Sequence, residues 1–253
     1  MEILGIDIGG TGIKGALVET DDGTLKTERF RLLTPQPSKP KPVCKVIAEL
    51  VQHFDWHGPV GCTFPAIVHH GVILSAANID HSWINKNAQN LIQEGCGRPT
   101  VLINDADAAG MAELRYGAGR GNNGLVIMIT LGTGIGSALL YRGQLVPNAE
   151  LGHLQIRGKD AEWRASDRVR QEKKLTWKQY AKRLQEYLAY LEFLLSPDLF
   201  IIGGGVSKDH AQFLPRVRTR TPIVPAELLN DAGIVGAALA AEQVFEKGAT
   251  AAE

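Results

Sequence analysis

Asp7-Ile8-Gly9-Gly10-Thr11-Gly12-Ile13-Lys14 places three glycines between two strand-like runs. Glycine lets backbone N–H groups approach an anion closely, and Thr11 and Lys14 add a hydroxyl and a positive charge. Asp7, ending a strand, suits a hydrated Mg2+ reached through water. The spacing is not that of a Walker A loop, and no dinucleotide fingerprint is present because a strand rather than a helix follows. These residue types point to a grip on a phosphoryl group, with a plain hairpin needing glycine at positive φ as the alternative. Leu131-Gly132-Thr133-Gly134-Ile135-Gly136 repeats the device and adds Thr133 and Gly134 to the expected donor-binding set.

Asp105, with Asn104 beside it, ends a buried strand just ahead of a helix. A carboxylate there can take a proton from an attacking hydroxyl, or can serve only as the helix cap. Glu150 and His153, three residues apart, form a carboxylate–imidazole pair of the kind a hydroxyl-rich ligand needs, although a lone histidine is more often structural. Asn78 and Glu162 are weaker candidates of the same type. Residues 157 to 183 hold ten Lys/Arg against four Asp/Glu. Most such runs are solvated helix faces. Arg164, Arg168, Arg170 and Lys173 would also suit a linear polyanion such as inorganic polyphosphate, extended by Arg216, Arg218 and Arg220.

Alternating and β-branched runs predict strands at 2–8, 13–18 and 25–33, each separated by a glycine turn. Pro35, Pro37, Pro40 and Pro42 predict a linker, followed by a helix over 43–54. Short apolar strands are expected at 60–64 and 100–103, and a helix at 105–116. Strands at 125–131, 137–141 and 199–202, a helix capped by Thr176 with Gln179, and a final apolar helix complete the reading. The strand–glycine turn–strand unit thus occurs twice, which suggests two similar α/β halves. The 253 residues carry 27 Lys/Arg and 27 Asp/Glu, so no global charge calls for nucleic acid or an anionic membrane. No apolar run approaches a membrane span and no leader is evident, so a cytoplasmic protein is expected. Three scattered cysteines form neither a disulfide framework nor a metal cluster.

The two turns, with Asn104-Asp105-Ala106-Asp107-Ala108-Ala109, Glu150-Leu151-Gly152-His153 and Gly203-Gly204-Gly205-Val206-Ser207, resemble the ROK family of sugar kinases. The resemblance runs over nearly the whole chain. It implies a two-domain actin/hexokinase-like (ribonuclease H-like) ATPase fold of the α/β class, with a central cleft. The small domain would be 1–104, closed by a C-terminal helix at about 232–247, and the larger one 105–231. It further implies Asp105 as catalytic base, and Asn78, Asn104, Asp105, Glu150, His153 and Glu162 as sugar contacts. Asp7, Gly9, Gly10, Thr11, Lys14, Thr133, Gly134, Gly204 and Gly205 would bind the phosphate donor, with Mg2+ as cofactor and a homodimer as the assembly.

The departures from the family pattern are as informative. Leu154 to Trp177 contains no cysteine, so the zinc motif of many ROK proteins is missing and no structural zinc is expected. No winged helix precedes the first strand, which argues against the ROK repressors. Residues 77–83, 165–170 and 214–225 resemble the polyphosphate glucokinase branch. That likeness implies phosphoryl transfer from polyphosphate, with or without ATP, to the 6-hydroxyl of glucose. The alternatives are an ATP-dependent hexokinase for glucose or mannose, and a sugar-sensing regulator without catalysis.

Overall fold

The computed structural model describes residues 1–77 and 79–250, with side chains in the last helix through Glu246. Two compact units divide the chain, Met1–Ala112 with Asp231–Glu253, and Glu113–Asn230. The division falls inside the helix opened by Asp105 rather than in front of it. The first turns of that helix stay with the first unit because they pack on the C-terminal helix so closely that a Cβ on Gly236 would lie 1.8 Å from the Ala108 carbonyl oxygen.

In the first unit, β1 (Glu2–Ile8) and β2 (Gly12–Glu19) form an antiparallel hairpin. β3 (Thr24–Leu25) and β4 (Phe30–Leu33) both pair with β2. The single strand expected over 25–33 is broken because the Leu17 N–H donates to Thr27 Oγ1, at 3.1 Å, in place of a ladder carbonyl. α1 (Pro40–His53) starts inside the expected proline linker. Proline is tolerated in a first helical turn, whose N–H groups have no intrahelical acceptor. Then come the fully buried β5 (Val60–Phe64), a small hairpin of β6 (Val68–His69) and β7 (Val72–Ile73), α2 (Ala88–Cys96), β8 (Thr100–Asn104) and α3 (Asp105–Tyr116). The sheet runs β3-β2-β1-β5-β8, its last three strands parallel.

The second unit contains β9 (Leu125–Leu131), β10 (Ile135–Tyr141) and β11 (Gln144–Val146). A short hairpin of β12 (Gln155–Ile156) and β13 (Lys159–Asp160) leads into α4 (Glu162–Ala165), α5 (Asp167–Glu172) and α6 (Trp177–Leu195). The capping box at Thr176 and Gln179 forms, each side chain meeting the other's backbone N–H. β14 (Leu199–Gly203), α7 (His210–Phe213) and β15 (Ile223–Pro225) finish the unit. Its sheet runs β11-β10-β9-β14-β15.

Numbered within each unit, both sheets therefore follow one plan: an antiparallel hairpin and a third strand, then two parallel strands on the far side of the first. Each unit has its own apolar core. The chain then returns to the first unit as α8 (Ala232–Thr250), which lies against β1 and β5. The approach is so close that a Cβ on Gly61 would sit 1.9 Å from the Ala237 carbonyl oxygen, and only glycine fits there.

Candidate active site

Parallel strands align their carboxyl ends, and ligands of α/β sheets gather at that edge. The register pairs Asp7 of β1 with Thr63 of β5, and Phe64 with Asn104 of β8. The first glycine turn, Thr63 and Asp105 therefore lie along one edge of the first sheet. Thr63 is fully buried. Its hydroxyl donates to the Asp7 carboxylate at 2.6 Å and accepts the Ile8 N–H at 3.1 Å. Lys14, opposite Asp7 on β2, places Nζ 3.1 Å from the other Asp7 oxygen. The first turn of α8 also meets this carboxylate, since a Cβ on Gly233 would lie 3.0 Å from Asp7 Cγ. Asp7 is thereby oriented by a hydroxyl, an ammonium and a helix N-terminus.

None of the turn glycines at 9, 10 and 12 has a positive φ. The plain hairpin explanation for them is therefore set aside. Gly12 is glycine for another reason: a Cβ there would lie 2.3 Å from Arg31 Nε, which crosses directly over it.

At Asp105 the two readings separate. Asn104, buried, is the helix cap. Its Oδ1 accepts the N–H groups of Ala106 at 2.9 Å and Asp107 at 3.0 Å, while Nδ2 donates to the Ala66 carbonyl at 3.0 Å. Asp105 is the first helical residue and is exposed, with Oδ1 accepting the Ala106 N–H at 2.8 Å. The cap is supplied by the neighbour, and the Asp105 carboxylate stands on the outer side at a helix N-terminus, where negative charge is favoured. Asn78 lies outside the described residues.

In the second unit the turn after β9 closes with a Gly132 N–H to Gly134 carbonyl bond at 3.1 Å. The Arg168 N–H takes the Gly132 carbonyl at 3.1 Å, so the start of α5 backs this turn. Glu162 lies against it. Its Oε2 accepts the Ile135 N–H at 3.4 Å and would be 2.5 Å from a Cβ on Gly134. Gly203 pairs with Thr130, and Gly204, at φ 82°, sits where a Cβ would lie 2.4 Å from the Leu131 carbonyl oxygen. The Gly203–Gly205 turn and the Thr133–Gly134 turn thus share one edge of the second sheet.

His153 is half-exposed and lies between carboxylates. Nδ1 is 2.9 Å from Asp160 Oδ2 and Nε2 is 3.9 Å from Glu150 Oε2. The bond to Asp160 raises the imidazole pKa above its ordinary value, aided by the nearby charges of Glu162, Glu150 and Asp160. Burial raises the Glu150 carboxyl, opposed by His153. Ser137 holds the segment in place, donating to the Ala149 carbonyl and accepting the Leu151 N–H at 2.9 Å. Glu162 lies close enough for its charge to act on both Glu150 and His153, so the structure brings the three near one another.

The basic segment is less open than its charge count suggests. Arg157 and Arg164 both pair with Glu186, at 2.5 and 2.6 Å, and Arg170 pairs with Asp167 at 2.6 Å. Arg168 stacks on Trp163 at 4.9 Å and Arg170 on Trp177 at 4.3 Å. Lys173 and Lys174 are exposed. Arg220 lies 3.5 Å from Glu192, and Arg218 and Arg220 line an open groove of about 680 Å³ with Thr219 and Thr221.

Sequence reasoning missed Thr63, Asp160 and the donors that back the first turn. Thr63 was reachable from the pairing of two apolar strands, because its register places it beside Asp7.

This chain is similar to known proteins over nearly its whole length. A polyphosphate glucokinase from Mycobacterium tuberculosis is 52% identical over 237 residues, covering 93% of this chain and 89% of that one. The crystal structure of an inorganic polyphosphate/ATP-glucomannokinase from Arthrobacter sp. strain KM superposes with a TM-score of 0.91 at 54% identity, covering 96% and 99%. A ROK family glucokinase from Streptomyces griseus, in complex with glucose and AMPPNP, gives 0.80 at 26% identity, covering 96% and 100%. The model of the ROK family matches residues 3–164, taking in both turns, Asp105 and the Glu150–His153 pair, and this chain belongs to that family.

Proposed function

We propose that this protein transfers the terminal phosphoryl group of inorganic polyphosphate to the 6-hydroxyl of glucose. The observation that carries the reading is the separation of cap from carboxylate at the start of α3: Asn104 ends the helix, and Asp105 is left exposed at its first position. A carboxylate so placed can accept the proton of the 6-hydroxyl as that oxygen attacks the terminal phosphorus. The new O–P bond forms as the bond to the bridging oxygen breaks, releasing glucose 6-phosphate and a polyphosphate one unit shorter.

Glu150 and His153 bind sugar hydroxyls in this reading, with Glu162 beside them, and Asn104, next to Asp105 at the start of α3, is a further sugar contact. The N–H groups at Gly9–Thr11 and Thr133–Gly134, with Lys14 and the Gly204–Gly205 backbone, hold the donor phosphates. The Asp7 carboxylate, engaged by one hydroxyl and one ammonium, keeps lone pairs for a hydrated cation, so the donor set fits Mg2+ held through water. Bound there, Mg2+ would neutralise charge on the donor phosphates. Of the four cations expected along a polyphosphate track, Arg164 and Arg170 are committed to carboxylates, which leaves Arg168 and Lys173 as the better candidates.

ATP is the second donor to test, because the Arthrobacter relative is named for both. Purified protein with glucose and Mg2+ is assayed for glucose 6-phosphate against polyphosphate, and separately against ATP. Formation with polyphosphate is expected. Formation with ATP alone would replace this reading by that of an ATP-dependent hexokinase, and none with either donor would refute both.

A further inference from the structure

We propose that the segment from Arg31 to Gln36 is a positioning strap for the phosphate donor, in which three side chains fix three consecutive carbonyls of the first glycine turn. Thr34 Oγ1 donates to the Gly9 carbonyl at 2.5 Å, Gln36 Nε2 to Gly10 at 3.1 Å, and Arg31 Nη2 to Thr11 at 3.1 Å. The fourth carbonyl, of Gly12, accepts the Gly9 N–H at 3.0 Å. A peptide unit is planar, and its N–H points opposite to its C=O. Holding these carbonyls toward the strap therefore turns the N–H groups of Gly10, Thr11 and Gly12 away from it, as an anion-binding concavity requires.

A turn this rich in glycine has unusually many backbone conformations to lose. Unsupported, it would present its N–H groups to an anion only part of the time. The strap removes that freedom before the donor arrives, so the donor's binding need not supply the ordering. The close crossing of Arg31 over Gly12 belongs to the same device, since any side chain at 12 would displace the guanidinium. The second turn is backed differently, by the Arg168 N–H on the Gly132 carbonyl. Side-chain backing by the strap is thus a property of the first turn and can be removed by itself.

This inference rests on the reading of the turn as the donor site. Its test is steady-state kinetics on Gln36→Met, Thr34→Val and the double variant, with whichever donor the wild-type protein uses. One lost hydrogen bond of ordinary strength should raise the donor KM about fivefold and two should raise it roughly 20-fold. The glucose KM should stay within about twofold, and Thr34→Ser should restore the donor KM. Gln36 and Arg31 are exposed, so Gln36→Met and Arg31→Met carry the comparison if Thr34→Val does not fold. A donor KM unchanged in folded variants, or an equal rise in the donor and glucose KM values, would overturn the strap. Calorimetric titration with tripolyphosphate reads the same weakening without turnover. Wild-type protein that phosphorylates no glucose refutes the proposed function alone, whereas active variants with an unchanged donor KM refute the strap alone.

Discussion

At the scale of single residues, Asp105 carries a charge at the start of α3 while Asn104 holds the helix end in place. Asp105→Asn keeps the size and the helix start, since Asn104 remains the cap, but removes the proton acceptor. Its kcat should fall roughly 10²- to 10⁴-fold, with glucose affinity retained in a calorimetric titration. Substantial turnover in this variant would remove Asp105 from its role. His153 carries a pH signature. Its pKa is raised in the folded protein, so the contribution of its bond to Asp160 is fully present below the ordinary value and is lost as pH rises through the raised one. In Asp160→Asn the His153 pKa, followed by NMR, should drop toward about 6.5, and that part of the pH dependence should vanish. A His153 pKa indifferent to this change would show that Asp160 is not its main partner. The imidazole is more than half exposed, so the effect on overall stability should be small.

At the scale of elements, two features stand out. Glu113, fully buried on α3, accepts the N–H groups of Ala118 at 2.9 Å, Glu227 at 3.1 Å and Leu228 at 2.7 Å. It stands at the first crossing between the units and ties down the segment just before the second, within the unit both ends share. Glu113→Ala would leave three part-buried N–H groups without their acceptor and should cost roughly 1–3 kcal/mol in urea unfolding, with Glu113→Gln intermediate. A midpoint unchanged in both would contradict this. Gly134→Ala places a methyl 2.5 Å from the end of the Glu162 side chain, which can move. The variant should melt near the wild-type temperature yet lose roughly tenfold or more in kcat/KM, because the turn and Glu162 no longer fit together.

What was legible at this scale was what local pattern dictates: both hairpins, the apolar strands, the capping box at Thr176, and Asp105 at a helix start. What was not legible depends on partners distant in sequence. Thr63 reaches Asp7 across 56 positions, and Thr34 reaches Gly9 across 25. Arg157 and Arg164 looked like solvent-facing charge until Glu186 on α6 paired with both. The start of α1 was missed because proline was weighed as a breaker, although a first turn accepts it. Gly12 has no room for a side chain because Arg31 of β4 crosses over it, a contact that no local pattern reveals.

At the scale of the whole molecule, two sheets of one plan each carry a glycine turn after their first strand, and the chain returns in α8 to the unit where it began. Among the described residues no helix is long and apolar enough to cross a membrane. Duplication of the turn is what makes a phosphate-chain donor reasonable, because one glycine turn alone does not distinguish a phosphate grip from other roles. The most direct measurement is 31P NMR of the purified protein with glucose, Mg2+ and polyphosphate. A glucose 6-phosphate resonance should grow as the polyphosphate chain shortens. Growth of orthophosphate alone, or no change in the spectrum, would contradict it.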